Sequence, residues 1–269
     1  MGPLLLSMAR ETVLWPLSAT LAVMIAGFFL RGKAPVSAFA TGIGFLVGYT
    51  LIYGIHAFPP PEAQGWIPFL ILLNFLVFYF DDRIGFPGTI RLALQGLFSA
   101  AGVILISFPL VKTGFSPVTL LMAFALWFGL WIIIERQDGP ALFLAAAGNA
   151  IVSAATGSTL LGQLGGVLAA VLGTQLLFNI PRTRVPPGHA GAAVSATIMG
   201  SLMLIGHVYA GTALFPSLLL FAAFIGPFAA RRLFPDREIT QFALGALLAL
   251  IPVAIASIVA IKSYLPQEY

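Results

Sequence analysis

The sequence predicts an all-α polytopic membrane protein of about ten transmembrane helices, with both termini on the non-cytoplasmic side. Three observations carry this expectation. The chain is 59% hydrophobic with a mean hydropathy of +1.02, and its apolar residues fall in continuous runs of about 18 or more rather than in alternation. Lipid leaves only helices and closed barrels with every backbone polar group satisfied, and continuous runs select helices. The basic residues are also segregated by loop, as the alternation of spans requires. With 269 residues, the chain reads as a single integral membrane domain, 1–269.

The expected spans, in order, are about 13–30, 36–57, 66–80, 90–110, 117–134, 140–157, 159–178, 190–210, 213–230 and 240–261. Residues 13–30 resemble a signal peptide in length, but they lack a small-residue cleavage site and run into Arg31-Gly32-Lys33. They are therefore read as a retained first span. The sixth and seventh spans are parted only by Thr156-Gly157-Ser158. A single long helix over 140–178 is the alternative there, and it would reverse the sidedness of everything that follows.

Charge placement tests the ten-span count. With loops on alternating sides, Arg31, Lys33, Arg83, Arg91, Arg136, Arg182, Arg184, Arg231, Arg232 and Arg237 share one side, and Arg10, Lys112 and Lys262 the other. Ten of the thirteen basic residues on one side makes that side cytoplasmic. The acids Asp81, Asp82, Glu135, Asp138, Asp236 and Glu238 fall there as well. The net charge of +4 thus follows from orientation, and no nucleic-acid partner is expected. The absence of cysteine excludes disulfide and thiolate chemistry.

Five cytoplasmic loops carry the candidate chemistry, each with a plainer reading beside it. Lys33, in Arg31-Gly-Lys33-Ala-Pro35, is a topology anchor or a point charge for phosphate. Asp81-Asp82-Arg83 either solvates a loop at a helix N-terminus or offers Mg²⁺ a carboxylate pair. Asp138-Gly139-Pro140 suits a helix entry, with Asp as N-cap and Pro as the first helical residue, or a catalytic carboxylate. Arg182 and Arg184 lie in a Pro- and Gly-rich connection fit for anions, and His189 beyond them is a metal ligand, a base or an interfacial polar group. Arg231 and Arg232 anchor topology or clamp a phosphate. His56 and His207 are expected at interfaces, and Asn74 and Asn149 are expected to hydrogen-bond across helices. Small residues in the sixth and seventh spans permit close helix packing. They also suggest, with a sparse 148-residue spacing of Pro68/Pro216, Arg83/Arg231 and Pro87/Pro235, a small transporter as a third class of function.

Taken together, these loops resemble the polyprenyl-phosphate N-acetylhexosamine-1-phosphate transferase superfamily, the group that includes phospho-N-acetylmuramoyl-pentapeptide transferases. Asp81-Asp82-Arg83-Ile-Gly-Phe-Pro87-Gly-Thr-Ile-Arg91-Leu92-Ala-Leu-Gln95 is similar to its Asp-Asp-Arg loop and Arg-Leu…Gln helix. Lys33-Ala-Pro35 resembles its Lys-x-Pro, and Asp138-Gly139 the first Asp-Gly of its Asn-x-x-Asp-Gly motif. The segment from Phe178-Asn179 through Pro181, Arg184 and Gly188-His189-Ala-Gly191 follows its Phe-Asn-x-Pro-x-x-Arg…Gly-Asp-x-Gly segment without gaps. The likeness covers about residues 30–245.

The resemblance implies transfer of a sugar-1-phosphate from a UDP-sugar to a polyprenyl phosphate at the cytoplasmic face of a bacterial inner membrane. It implies catalytic Asp81, Asp82 and Asp138, with Mg²⁺ at Asp82, Asp138 and position 189. Lys33, Asn179, Arg184, Arg231 and Arg232 would hold substrate phosphates and the nucleotide sugar, and a homodimer or a membrane-complex partner is open. The departures are specific. Ser37-Ala38 replaces a glycine pair, Glu135 stands for the Asn of Asn-x-x-Asp-Gly, the second Asp-Gly is missing, and the histidine cluster of the fifth loop is reduced to Asp236-Arg237. His189 stands where the family has a metal-binding Asp, exchanging a hard anionic oxygen for a nitrogen poorly matched to Mg²⁺. These departures imply the alternative function, a catalytically inactive relative that binds lipid phosphate or scaffolds a membrane complex.

Overall fold

The computed structural model describes residues 2–29, 35–55, 57–111, 116–135, 140–180, 185, 188–234 and 238–264. These residues form helices joined by short turns, with no strand among them. Eight helical segments are long and apolar enough to cross a membrane, and two more, Val36–Ile52 and Pro140–Ala155, are shorter apolar helices. The chain is a helical membrane protein. Large apolar side chains such as Leu72, Leu97, Leu121 and Ile258 cover its outer surface, as lipid as solvent requires.

The first span starts earlier than the sequence suggests. Helix α1 (Gly2–Ala9) runs through a π-helical turn (Arg10–Leu14) into α2 (Trp15–Phe29). The turn sits immediately before Pro16, where Trp15 N–H bonds the Arg10 carbonyl. A proline ring crowds the carbonyl of the preceding turn, and one wider turn relieves this without breaking the helix.

Helix α3 (Val36–Ile52) packs on α2 and on the helix over Thr159–Phe178. A 3₁₀ turn (Ala63–Trp66) leads into α4 (Ile67–Ile84), followed by α5 (Gly88–Val111) and α6 (Pro117–Glu135). Helix α4 extends past the expected 66–80, so Asp81, Asp82 and Arg83 belong to its last turn rather than to a loop. The stop comes at Gly85, at φ 75°, whose N–H bonds the Asp81 carbonyl at 2.8 Å. A left-handed residue closes the helix there, and glycine adopts it without steric cost.

Residues 140–178 form two helices, α7 (Pro140–Ala155) and α8 (Thr159–Phe178), with Gly157 at φ 86° and Ser158 Oγ accepting from Leu161 N–H at 3.4 Å. The single-helix alternative fails because the chain reverses at this glycine, and the two helices pack closely side by side.

Helix α9 (Gly188–Tyr209) is the core of the bundle. It packs against α3, α4, α5, α6, α7 and α8 and is built almost wholly of Gly, Ala, Ser, Thr and medium aliphatic residues. A helix enclosed on all sides needs no polar face, and small side chains let its neighbours approach.

The expected 213–230 span is interrupted. Helices α10 (Leu214–Ala222) and α11 (Ile225–Leu233) meet at Ala223-Phe224, because Pro227 has no N–H to continue the ladder. Helix α12 (Glu238–Tyr264) packs on α7, α10 and α11.

The expectation that Asn74 bonds across helices is not met. Its amide donates to the Leu70 carbonyl of its own helix at 2.9 Å, and its Oδ1 is buried without a partner. The Asn149 amide nitrogen is likewise buried and unpartnered.

Candidate functional site

The last turn of α4, the first turns of α5 and α9, and the end of α6 meet at one end of the bundle and bring a set of polar side chains together. Asp81 is almost fully buried, at 1% exposure. Arg91 grips it with two bonds, Nε to Oδ2 at 2.6 Å and Nη2 to Oδ1 at 3.1 Å. Phe86 N–H adds a bond to Oδ1 at 2.8 Å, and Arg91 also reaches the Phe86 carbonyl at 3.3 Å. The tight turn after Gly85 is what folds Phe86 back onto the carboxylate. The fork of the guanidinium matches the carboxylate geometry, which makes this the strongest kind of polar pair in the set.

Asp82 points the other way, toward α9. Its Oδ1 accepts from His189 N–H at 2.8 Å and its Oδ2 from Ala190 N–H at 3.1 Å. It therefore caps a distant helix, bonding an N–H that lies 107 residues later in the chain. Helix α9 needs an outside cap because the two residues before Gly188 are Pro186 and Pro187, neither with a side-chain acceptor. A negative group at a helix start is stabilised by the first free N–H groups and by the helix dipole. Gly188 makes room for it, since it has φ 62° and a Cβ there would lie 2.9 Å from Asp82 Oδ2. Asp82→Ala is expected to lower stability by about 1 kcal/mol, with Asp82→Asn recovering part of the loss. Chemical denaturation of the two variants side by side measures this, and an Ala variant equal to wild type would remove the capping role.

Glu135 ends α6 and joins three helices. Its Oε1 is 2.6 Å from His189 Nδ1 and 3.7 Å from Arg91 Nη1, and its Oε2 accepts from Gln95 Nε2 at 2.7 Å. Glu135 and His189 are two of the departures from the family pattern described above, 54 residues apart in the chain, and they bond to each other.

The other expected site residues are placed differently. Asn179 closes a loop: its Nδ2 donates to the Val185 carbonyl at 3.1 Å and its Oδ1 accepts from Val185 N–H at 2.9 Å. Arg231 and Arg232 stand exposed at the end of α11, which packs on α12. Lys33, Asp138 and Arg184 lie outside the described residues. The sequence reading passed over the Gln175 clasp, in which Nε2 donates to Thr41 Oγ1 at 2.7 Å and Oε1 accepts from Ser37 Oγ at 2.9 Å. It also gave Gln95 no role beyond its place in the motif. A buried glutamine within an otherwise apolar helix is the signal that marks both.

The fit of this cluster to Mg²⁺ is poor. Both Asp82 oxygens face backbone N–H groups, both Asp81 oxygens face donors, and His189 Nδ1 faces Glu135. Among the described residues, no group of three or more His, Asp or Glu is arranged to hold a metal. What the arrangement does is close one end of the bundle with carboxylates whose oxygens are engaged by nearby donors. No protein-family model matches the sequence, and no curated protein matches it.

Proposed function

We propose that this chain is a ten-span membrane protein of the polyprenyl-phosphate sugar-1-phosphate transferase type, with its termini outside, that binds a phosphate-bearing polyprenyl lipid at its cytoplasmic face without transferring a sugar. The observation that carries this reading is the Glu135–His189 bond. Two of the positions that depart from the transferase pattern are each other's partners, and Asp81 and Asp82 are engaged by Arg91 and by the start of α9. These carboxylates serve to hold α4, α5, α6 and α9 together.

Charge favours an anionic ligand on the same side. The ten-span alternation gives the cytoplasmic side ten basic and six acidic residues, a net of +4, and the other side three of each, a net of zero. Exposed arginines suit phosphate, and Arg83 is held over the Tyr79 ring at 5.3 Å. The family resemblance implies a bacterial inner membrane as the location, with a lipid or a membrane protein as the partner.

The test uses full-length protein in nanodiscs, with undecaprenyl phosphate and undecaprenol as paired probes. Binding of the phosphate form alone, weakened by raised salt and by Arg231→Ala/Arg232→Ala, is the expected result. In parallel, a panel of UDP-sugars with Mg²⁺ is expected to yield no UMP. UMP release that disappears in Asp82→Asn would establish the transferase instead, and equal affinity for the two lipids would remove the phosphate-binding reading.

A further inference from the structure

A cavity of about 230 Å³ lies between α6, α9 and α10, in the half of the bundle away from the polar cluster. The helices beside it take their main partners elsewhere. Helix α6 rests on α5 and α9, α10 rests on α7 and α12, and α6 and α10 do not pack closely on each other. The result is a cleft with α9 as its floor. Its mouth faces the bilayer: Leu121 and Met122 of α6 and Phe215 and Leu218 of α10 are exposed on the lipid-facing surface, and Met122 also lines the cleft.

The wall is graded along its length. Thr119 at the start of α6, His207 at the end of α9 and Ser217 of α10 bring polar atoms to the end nearest the membrane surface, whereas Leu130, Gly200 and Phe221 line the inner part. No Asp, Glu, Lys or Arg lines it. From Thr119 to Leu130 the cleft follows α6 for roughly 16 Å, at a helical rise of about 1.5 Å per residue. That is close to the depth of one leaflet, half of a hydrocarbon core of about 30 Å.

We infer that this cleft binds one acyl chain of a glycerolipid from the leaflet opposite the polar cluster, with the ester end beside Thr119, His207 and Ser217 and the methyl end near Leu130. Water is a poor occupant of the inner part, because a buried water needs about two to four polar partners and the inner wall is apolar. An empty cleft forfeits the dispersion contacts of its walls. A chain from the adjoining bilayer restores them and crosses no polar barrier on entry. The chain is esterified rather than free, because the ionised carboxylate of a fatty acid at membrane depth calls for a cationic partner, and neither Lys nor Arg lines the cleft. The site lies at the other end of the bundle from the phosphate-binding reading and does not rest on it.

The probe is a phosphatidylcholine with a diazirine at the end of one acyl chain, applied to the full chain in nanodiscs, with labelled positions read by peptide mass spectrometry after irradiation. Wild type is expected to be labelled around Leu130 and Phe221 about fivefold or more above Leu97, an exposed residue of α5 outside the cleft, equivalent to ~1 kcal/mol of preference. Ala123→Phe, which fills the cleft from α6, is expected to lower cleft labelling to the Leu97 level. Leu121→Phe, on the same helix but outside the cleft, is expected to leave it unchanged. Equal labelling of cleft and surface in wild type, or cleft labelling that survives Ala123→Phe, would overturn the site, and the wild-type comparison decides alone if the Ala123 variant does not fold. A diazirine-bearing free fatty acid is run in parallel, and cleft labelling by that acid alone would overturn the assignment to a glycerolipid.

Discussion

Arg91→Ala is expected to cost about 3 kcal/mol of stability, among the largest effects of any single truncation at the polar end. The size follows from what is left behind. Asp81 is at 1% exposure, and removing Arg91 takes away its only cationic partner among the described contacts, leaving Phe86 N–H as its donor. An uncompensated buried charge costs far more than the pair gained while intact. The partial exposure of Arg91, 22% for its side chain, keeps the value at the lower end of the range for buried pairs. Asp81→Asn is expected to cost less, about 1–2 kcal/mol. Both Asp81 oxygens accept hydrogen bonds, so whichever becomes the amide nitrogen meets a donor. The double variant should fall short of the sum of the singles, because the two changes remove one shared interaction. Unfolding in mixed detergent micelles reads all three, and an Arg91→Ala protein as stable as wild type would contradict the buried pair.

Gly226→Ala is expected to destabilise by about 1–3 kcal/mol and Gly165→Ala by a similar amount, whereas Gly129→Ala is expected to be neutral or stabilising by about 0.5–1 kcal/mol. All three glycines sit in helices, so alanine improves backbone propensity at each. Packing decides the sign. At Gly226 a Cβ would lie 2.7 Å from the Ala249 nitrogen and 2.9 Å from the Gly245 carbonyl oxygen, both backbone atoms of α12. At Gly165 it would lie 2.8 Å from the Ala150 Cα, across the α7–α8 pair. Backbone cannot rotate away as a side chain can, so two helices must separate. At Gly129 nothing lies within 4 Å. Thermal denaturation of the three purified variants distinguishes these cases, and a destabilised Gly129→Ala alongside an unaffected Gly226→Ala would refute the packing of α11 on α12.

The sequence by itself determined that this is a helical membrane protein and where its apolar segments fall, because hydrophobic length and the satisfaction of backbone groups in lipid are local properties. Local turn chemistry was legible at Gly157, where the chain reverses.

Boundaries were less so. Asp81 and Asp82 read as a loop because charge usually ends an apolar helix, yet the helix continues to Ile84 when a carboxylate finds Arg91 or the start of α9 to bond. The break at Ala223-Phe224 and the π-turn before Pro16 depend on how each proline is accommodated by its neighbours. Pairing was decided by tertiary structure alone. Nothing near Asp82 in the chain indicates that it caps a helix starting at Gly188, and nothing near Glu135 indicates His189. Charged side chains take the partners that the packing of distant helices brings within reach, and that packing is set by small residues such as Gly165, Gly200 and Gly226, whose fit depends on the whole bundle.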